Sequence, residues 1–279
     1  MDGSRTSCLE AALHSAKSYL EVFDEVTRIA SAFDFEYCAY VIQAPIPISR
    51  PATEVFSNCP LLQSKRASRI YPALDSILRW AFASSELIVW NENEADEAPI
   101  FWDAARSSGF RYGWAMPCRD HRGAVGLLAF ARSDEPISET ELDAKCADFT
   151  WIMQQIHISM AEHWLPRHVP ELYACITPRE QEVLRWAAEG KTSCETAQIM
   201  NLSERTVNFH INNAVAKLGA TNRIQAAVKA AMLGKLFLGN SPPDAGSGAA
   251  ACDTPGSKPF PFIAPRGGAA LAGASYRTG

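Results

Sequence analysis

Residues 177–223 read TPREQEVLRWAAEGKTSCETAQIMNLSERTVNFHINNAVAKLGATNR, and nearly every helix boundary in this stretch is written in its side chains. Thr177 and Glu180 form a capping box with Pro178 at the first helical position, which predicts a helix through Trp186 that closes at Gly190. Thr192 and Glu195 form a second box and open a short helix over CETAQIM. Asn201-Leu202 turns the chain, Ser203 caps a third helix from Glu204 to Leu218, and Gly219 stands where a C′ residue belongs. A fourth helix starts near Asn222 and ends before Gly234. Two helices joined by a tight turn, the second long and polar on one side, make a helix-turn-helix over about 192–211.

In the third helix Val207, Ile211, Ala214, Val215 and Leu218 keep the three-and-four spacing of a buried face, and Arg205, Asn208, Asn212 and Lys217 occupy the other side. Asparagine is a poor interior helix former, so Asn208, Asn212 and Asn213 on one exposed helix need a reason beyond solubility. Asn208 and Asn212 are four apart and point the same way, toward base edges if the helix lies in a major groove. Arg205, Thr206, His210 and Lys217 then fall near phosphates or flanking bases. Lys191, Thr192 and Ser193, at the start of the preceding helix, suit a phosphate grip. The plainer reading is the solvated face of an ordinary helical bundle.

Charge supports a polyanion partner for this part. The 279-residue chain has a net charge of -5, but residues 175–240 carry eight Lys/Arg against five acids. That leaves the first 174 residues at -9 and residues 241–279 at +1. An acidic large domain joined to a small basic one divides the labour, with the basic end meeting nucleic acid. The eight cysteines include no C-x-x-C pair and no cluster at metal-ligand spacing, which favours a reducing compartment and neither zinc nor a disulfide framework. No basic leader followed by an apolar run opens the chain, and no segment reaches the roughly 20 apolar residues that span a bilayer. A cytoplasmic protein without a membrane partner is expected.

Upstream, residues 6–32 carry a helical pattern, with Leu9, Leu13, Tyr19, Val22, Phe23, Val26 and Ile29 largely on one face. FEYCAYVIQ and EVFSN read as strands on either side of the Pro-rich APIPISRP. Helical PLLQSKRASRI, a helical stretch to Ser84, a short strand LIVW and an amphipathic helix around PIFWDAARSSG follow. YGWAMPCR and AVGLLAFAR flank the turn signal DHRG and predict an antiparallel hairpin. Ser138 and Glu141 read as a capping box that opens a long helix bearing Leu142, Cys146, Phe149, Ile152, Ile156 and Met160 on one side. The expected class is α+β: an α/β/α sandwich around an antiparallel sheet over residues 1–165, then an all-α four-helix domain over 175–238. WLPRHVPEL suggests a linker over 166–174, and the Pro/Gly-rich residues 239–279 read as a disordered tail.

One acid stands out in the large domain. In YPALDSILRW, Asp75 is a single carboxylate among aromatic and aliphatic residues. It is either a helix cap accepting backbone N–H bonds or a buried anchor for a polar group of a ligand.

Residues 177–230 closely resemble the C-terminal domain of LuxR-type transcription regulators, most densely in GKTS, SERTVNFHINNA and KLGATNR. The resemblance implies a Glu180–Arg205 pair that orients the third helix, and a fourth helix that joins two copies on near-palindromic DNA. Thr196 departs from the isoleucine usual in the family, and its hydroxyl is expected to bond to the carbonyl one turn earlier. The large domain is similar to the autoinducer-binding domain of the quorum-sensing members. SNCP stands for a family NYP, Tyr71 precedes Asp75 by four, Trp90 lies fifteen beyond the acid, and Phe101-Trp102 and SGFRYG, ending at Gly113, follow.

By that resemblance Asp75 accepts the amide N–H of an N-acyl homoserine lactone and Trp90 walls the pocket, a charge-assisted bond offsetting part of the desolvation of the acid. Other positions depart from the family. Cys59 replaces a tyrosine, the lactone-binding tryptophan falls on Leu62 or Gln63, a pocket tyrosine falls on Arg66 or Ala67, Ser76 replaces a proline, and Ala129 replaces a hydroxyl. Two or three head-group contacts are thus missing, each worth about 1 kcal/mol net.

The expected activity is that of a homodimeric, ligand-responsive transcription regulator that binds an acyl-homoserine-lactone-like or other acyl-amide signal and dyad-symmetric promoter DNA, with RNA polymerase as a further partner. The alternative is a ligand-independent, heterodimerising regulator whose pocket no longer takes a lactone. No Ser/His/Asp, Cys/His or metal constellation among the six histidines points to an enzyme or a cofactor.

Overall fold

The computed structural model describes residues 11–60, 86–91 and 109–236. The predicted helices over 60–70, 71–84 and 99–109 and the tail over 239–279 lie wholly or almost wholly outside these. Residues 11–15 are helical, and the chain breaks before α1 (Tyr19–Ala32). The single helix expected over 6–32 is therefore divided, because Ser18 caps a new start: its hydroxyl accepts the Glu21 N–H at 3.3 Å, and Glu21 accepts the Lys17 N–H at 2.7 Å.

Five strands follow: β1 (Tyr37–Gln43), β2 (Thr53–Ser57), β3 (Ile88–Trp90), β4 (Tyr112–Arg119) and β5 (Val125–Arg132). They form one antiparallel sheet in the order β2-β1-β5-β4-β3. The β4–β5 hairpin closes through Asp120, whose carboxylate accepts the N–H groups of Arg122 at 3.0 Å and Ala124 at 2.9 Å.

α2 (Glu139–His168) lies on one face of the sheet with α1. Ser138 caps it, but the reciprocal half of the expected capping box is absent, because the Glu141 carboxylate is taken by Arg132 at 2.7 Å and Lys145 at 2.9 Å. The helix also runs through Pro166, where a linker was predicted, and a 3-10 turn over Pro170–Tyr173 follows. Losing one N–H near a helix end is tolerable when packing holds the turn. Here Trp164, Leu165 and Val169 are buried, the Trp164 indole N–H donates to Glu54, and His168 stacks on Trp164 at 3.9 Å.

The core between helices and sheet is aromatic. Trp114 stacks on Phe149 at 4.2 Å and meets Phe130 edge-on at 5.0 Å. Tyr40 and His157 are fully buried in the same layer, with 2.7 Å between the Tyr40 hydroxyl and His157 Nδ1. Gly126 makes room for this pair, since a Cβ there would sit 2.8 Å from the Tyr40 oxygen and closer still to the imidazole.

The C-terminal part has α3 (Pro178–Ala188), α4 (Ser193–Met200), α5 (Glu204–Lys217) and α6 (Arg223–Met232). Both boxes, at Thr177 and Thr192, are complete, Asn201 adopts the left-handed conformation, and Gly190, Gly219 and Gly234 end helices at positive φ. Two small clusters hold the helices together. One contains Ile176, Leu184, Ala214, Leu218 and the alanines of α6, the other Val183, Ala197, Val207 and Ile211. The hairpin turn of the sheet domain touches this part: a Cβ on Gly123 would strike the Met232 carbonyl, and one on Gly234 would lie 2.5 Å from the His121 carbonyl. Leu233 is buried in the same cluster as Trp114 and Phe149. Among the described residues no helix is long and apolar enough to cross a membrane.

Candidate ligand and DNA sites

Alternate residues of a strand share a face, so the side chains directed away from α1 and α2 can be read from the strand register. They form three rows across the sheet. The middle row is Ile88, Ala115, Ala129, Ala39 and Ser57. Beside it run Trp90, Gly113, Ala131 and Tyr37 on one side, and Pro117, Leu127, Val41 and Val55 on the other. Three alanines in line across the central strands leave a shallow apolar floor, and the glycine beside them gives the Trp90 indole its place. The Trp90 indole lies directly over Gly113, where any Cβ would collide with its ring, and stacks on Phe110 at 5.3 Å.

Of the sequence-predicted ligand residues, Trp90, Gly113 and Ala129 therefore come together on one face, although they are separated in the chain. Cys59 is buried at the end of β2, where its N–H donates to Ser57 Oγ at 3.0 Å. Leu62, Gln63, Tyr71, Asp75, Phe101 and Trp102 lie outside the described residues, as do Arg66, Ala67 and Ser76.

In the helical part, α5 presents Arg205, Asn208, Phe209 and Asn212 to solvent, with Thr206 and His210 half-buried at the margin. Thr206 Oγ1 lies 2.7 Å from Ser203 Oγ at the cap. Phe209 is 59% exposed, a cost that nothing within the domain repays. Lys191, Thr192 and Ser193 lie together where α4 begins. Thr192 is occupied by its capping box, and Ser193 donates to Asn208 Oδ1 at 2.6 Å.

Two expectations fail here. Glu180 pairs with Lys217, not Arg205: Lys217 Nζ lies 2.7 and 2.9 Å from the two carboxylate oxygens. The last turn of α5, which carries Lys217, meets the start of α3, so the ammonium reaches the carboxylate. Burial pushes the Glu180 carboxyl up, but the hydrogen bonds from Lys217 and the Thr177 backbone outweigh it and hold the group below the ordinary glutamate value. The second failure is Thr196. It is completely buried and its hydroxyl has no hydrogen-bond partner, so the bond to the preceding turn does not form.

The autoinducer binding domain model matches residues 19–160, and the model for bacterial regulatory proteins of the luxR family matches residues 174–230. The transcriptional activator protein SolR of Ralstonia nicotianae is 39% identical over 225 residues, 80% of this chain and 95% of SolR. The chain belongs to the LuxR family of quorum-sensing transcription regulators. A crystal structure of Escherichia coli SdiA superposes with a TM-score of 0.69 at 30% identity, over 84% of this chain and 98% of that one. SdiA in complex with octanoyl-rac-glycerol gives 0.67 at 30% identity, over 85% and 97%. These matches to LuxR-family proteins support ligand-responsive transcription regulation.

Sequence reasoning missed three features of this LuxR-family chain. Phe209 sits beside Asn208, and a wheel of α5 would have placed it outward. Arg223, the first residue of α6, donates to the Lys191 carbonyl and lies 3.5 Å from Ser193 Oγ. No spacing rule reveals a contact across 30 residues. The Tyr40–His157–Gly126 cluster is equally non-local.

Proposed function

We propose that this protein is a homodimeric cytoplasmic regulator that binds an acyl-amide or acyl-lactone signal on the sheet face turned away from α1 and α2, in a domain over residues 1–165. A linker over 166–174 joins it to a DNA-reading domain over 175–238 that binds dyad-symmetric promoter DNA and works with RNA polymerase. The observation that carries the ligand half is the alanine row of β4, β5 and β1 beside the Trp90 indole, an apolar floor of the kind that suits an acyl chain. Asp75 supplies the anchor for the amide N–H. With Ala129 and Cys59 in place of hydroxyl-bearing groups, the head group is held by fewer polar contacts than a standard lactone has elsewhere in the family. A neutral octanoyl ester, such as the octanoyl-rac-glycerol of the SdiA complex, is a candidate for the same floor.

For the DNA half, Arg205, Asn208, Phe209 and Asn212 face the major groove, and Lys191, Ser193 and His210 lie toward the backbone. Ile224 and Val228, four apart and exposed on α6, form the seam between two copies.

Purified full-length protein mixed with octanoyl homoserine lactone or octanoyl glycerol should gain thermal stability and bind selected dyad DNA more tightly. Asp75→Asn should abolish the gain and leave the unliganded midpoint in place. A second reading is favoured by Cys59 and Ala129, which lack the hydroxyls expected to hold a lactone: the pocket no longer takes that ligand and the chain pairs with a related regulator. Full stability unmoved by both acyl compounds, with a heterodimer on mixing with a relative, would establish that reading and overturn the first.

A further inference from the structure

Asn208 is expected to face base edges, and the contacts around it bear on which end of its amide is free to do so. Three residues from three different elements meet at the mouth of α4. Arg223, at the first position of α6, reaches back to the Lys191 carbonyl with one guanidinium nitrogen and toward Ser193 Oγ, at 3.5 Å, with another. Ser193, at the first position of α4, donates its hydroxyl to Asn208 Oδ1 on α5 at 2.6 Å. A serine hydroxyl has a single proton. With the guanidinium supplying a donor to the oxygen, that proton is directed at the asparagine carbonyl. The carbonyl is thereby engaged inside the protein and the two N–H groups of Nδ2 are left for solvent.

We infer that Arg223 and Ser193 are positioning residues that fix the Asn208 amide and bias it toward donating to DNA bases, an inference that rests on the DNA-binding reading above. An asparagine recognises adenine by accepting from N6 while donating to N7, and the pair needs both ends of the amide. With one lone pair of Oδ1 taken and the amide plane fixed by Ser193, accepting from adenine N6 or cytosine N4 is weakened while donation from Nδ2 is not. Guanine, with N7 and O6, and thymine, with O4, present the acceptors that Nδ2 needs. Asn212, one turn further along α5, makes no contact with Ser193 and serves as the internal control.

The test is selection of duplexes from a randomised library by the full-length protein, with octanoyl homoserine lactone, with octanoyl glycerol and with neither. Wild type should enrich guanine or thymine at the base pair that an Asn208→Ala variant ceases to discriminate. Ser193→Ala releases the carbonyl and should raise the share of adenine at that position roughly tenfold, a change in the range of one base contact. It should leave preferences at the position lost in Asn212→Ala unchanged. Arg223→Met should move the same position in the same direction, because it removes both guanidinium donors from the Lys191 carbonyl and Ser193. A loss of folding or of phosphate grip would weaken all sequences alike and could not produce this shift, and thermal midpoints of the variants separate the two. If Asn208→Ala removes discrimination at a position and Ser193→Ala leaves the share of adenine unchanged there, the relay is wrong though the DNA reading stands. If wild type enriches no sequence under any condition, both fall.

Discussion

The two halves of this chain are stabilised over very different sequence distances. In the helical half the main devices are local: Thr177 with Glu180, Thr192 with Glu195 and Ser203 with Thr206 each act across three residues. In the sheet half the defining contacts are remote, with Tyr40 meeting His157 and Trp164 meeting Glu54 more than a hundred residues away. A fault in the first kind of contact frays one helix end, whereas a fault in the second disrupts the layer that holds the ligand face. The contrast can be tested by substituting glycines.

The largest expected effect comes from Gly126→Ala. Its Cβ would invade the Tyr40–His157 pair in a layer with no slack, and overpacking together with a broken buried hydrogen bond should cost about 3 kcal/mol or more. Gly190→Ala in the helical half meets nothing within 4 Å and bears only the strain of φ +80°, about 1 kcal/mol. Denaturant unfolding followed by tryptophan fluorescence compares the two. Equal losses would show that the sheet layer yields as easily as a helix end.

A pH titration sharpens the same comparison. Burial pushes His157 down to about 4, with the nearby Asp120 carboxylate acting against the shift and Arg122 adding to it. A histidine depressed in the folded state contributes stability that is whole above its unfolded value near 6.5 and is lost as pH falls toward 4. The loss is on the order of 3 kcal/mol if the full shift is realised. His157→Asn keeps an acceptor for the Tyr40 hydroxyl and removes the titration, so its stability should be flatter between pH 6.5 and 4.5. Glu180, Glu171 and Glu141, all held below the ordinary value, act lower, as pH falls below about 4.5. Parallel wild-type and variant curves above pH 4.5 would remove His157 from the account.

What could be read from the sequence follows the same division. Helix ends in residues 177–234 were recoverable almost to the residue because caps, left-handed Asn201 and terminal glycines are local chemistry. All five described strands were legible from β-branched and aromatic runs, and so was the β4–β5 hairpin. Their order was not, because nothing in β1 states that it lies between β2 and β5. The alanine floor was equally hidden: Ala39, Ala115 and Ala129 become one surface only once register is fixed. Pro166 misled because proline reads as a helix stop, while the burial of Trp164 and Val169 that keeps the helix going is tertiary. The family resemblance implied Glu180 as the anchor of α5 with Arg205 as its partner, and the partner is instead Lys217, a contact across 37 residues that no local pattern announces.

That partner gives the next effect in size. Lys217→Met leaves the Glu180 carboxylate buried with one charged neighbour fewer, but the lysine side chain is 37% exposed and solvent screens much of the loss. A cost of about 1–2 kcal/mol is expected, well below the value for a fully enclosed pair. Arg205→Met at the other end of α5 should leave stability within about 0.5 kcal/mol and weaken DNA binding. If Arg205→Met is the more destabilising of the two, the Glu180–Lys217 pairing is wrong.

The smallest expected effect has the opposite sign. Thr196 has its hydroxyl buried between α4 and its neighbours without a partner, which costs part of the desolvation of the group and gives nothing in return. Thr196→Val keeps the branched shape, removes the hydroxyl, and should stabilise the helical half by about 1 kcal/mol. For a domain of this size that is a rise of roughly 4–8 °C in its unfolding midpoint. The sheet half should unfold where it did before, because the packing around Thr196 lies within the helical part. A variant that melts lower than wild type would mean that the hydroxyl is bonded after all, to water or to a carbonyl one turn back. Thr196 would then join the local contacts of the helical half, and the contrast with the sheet half would be sharper.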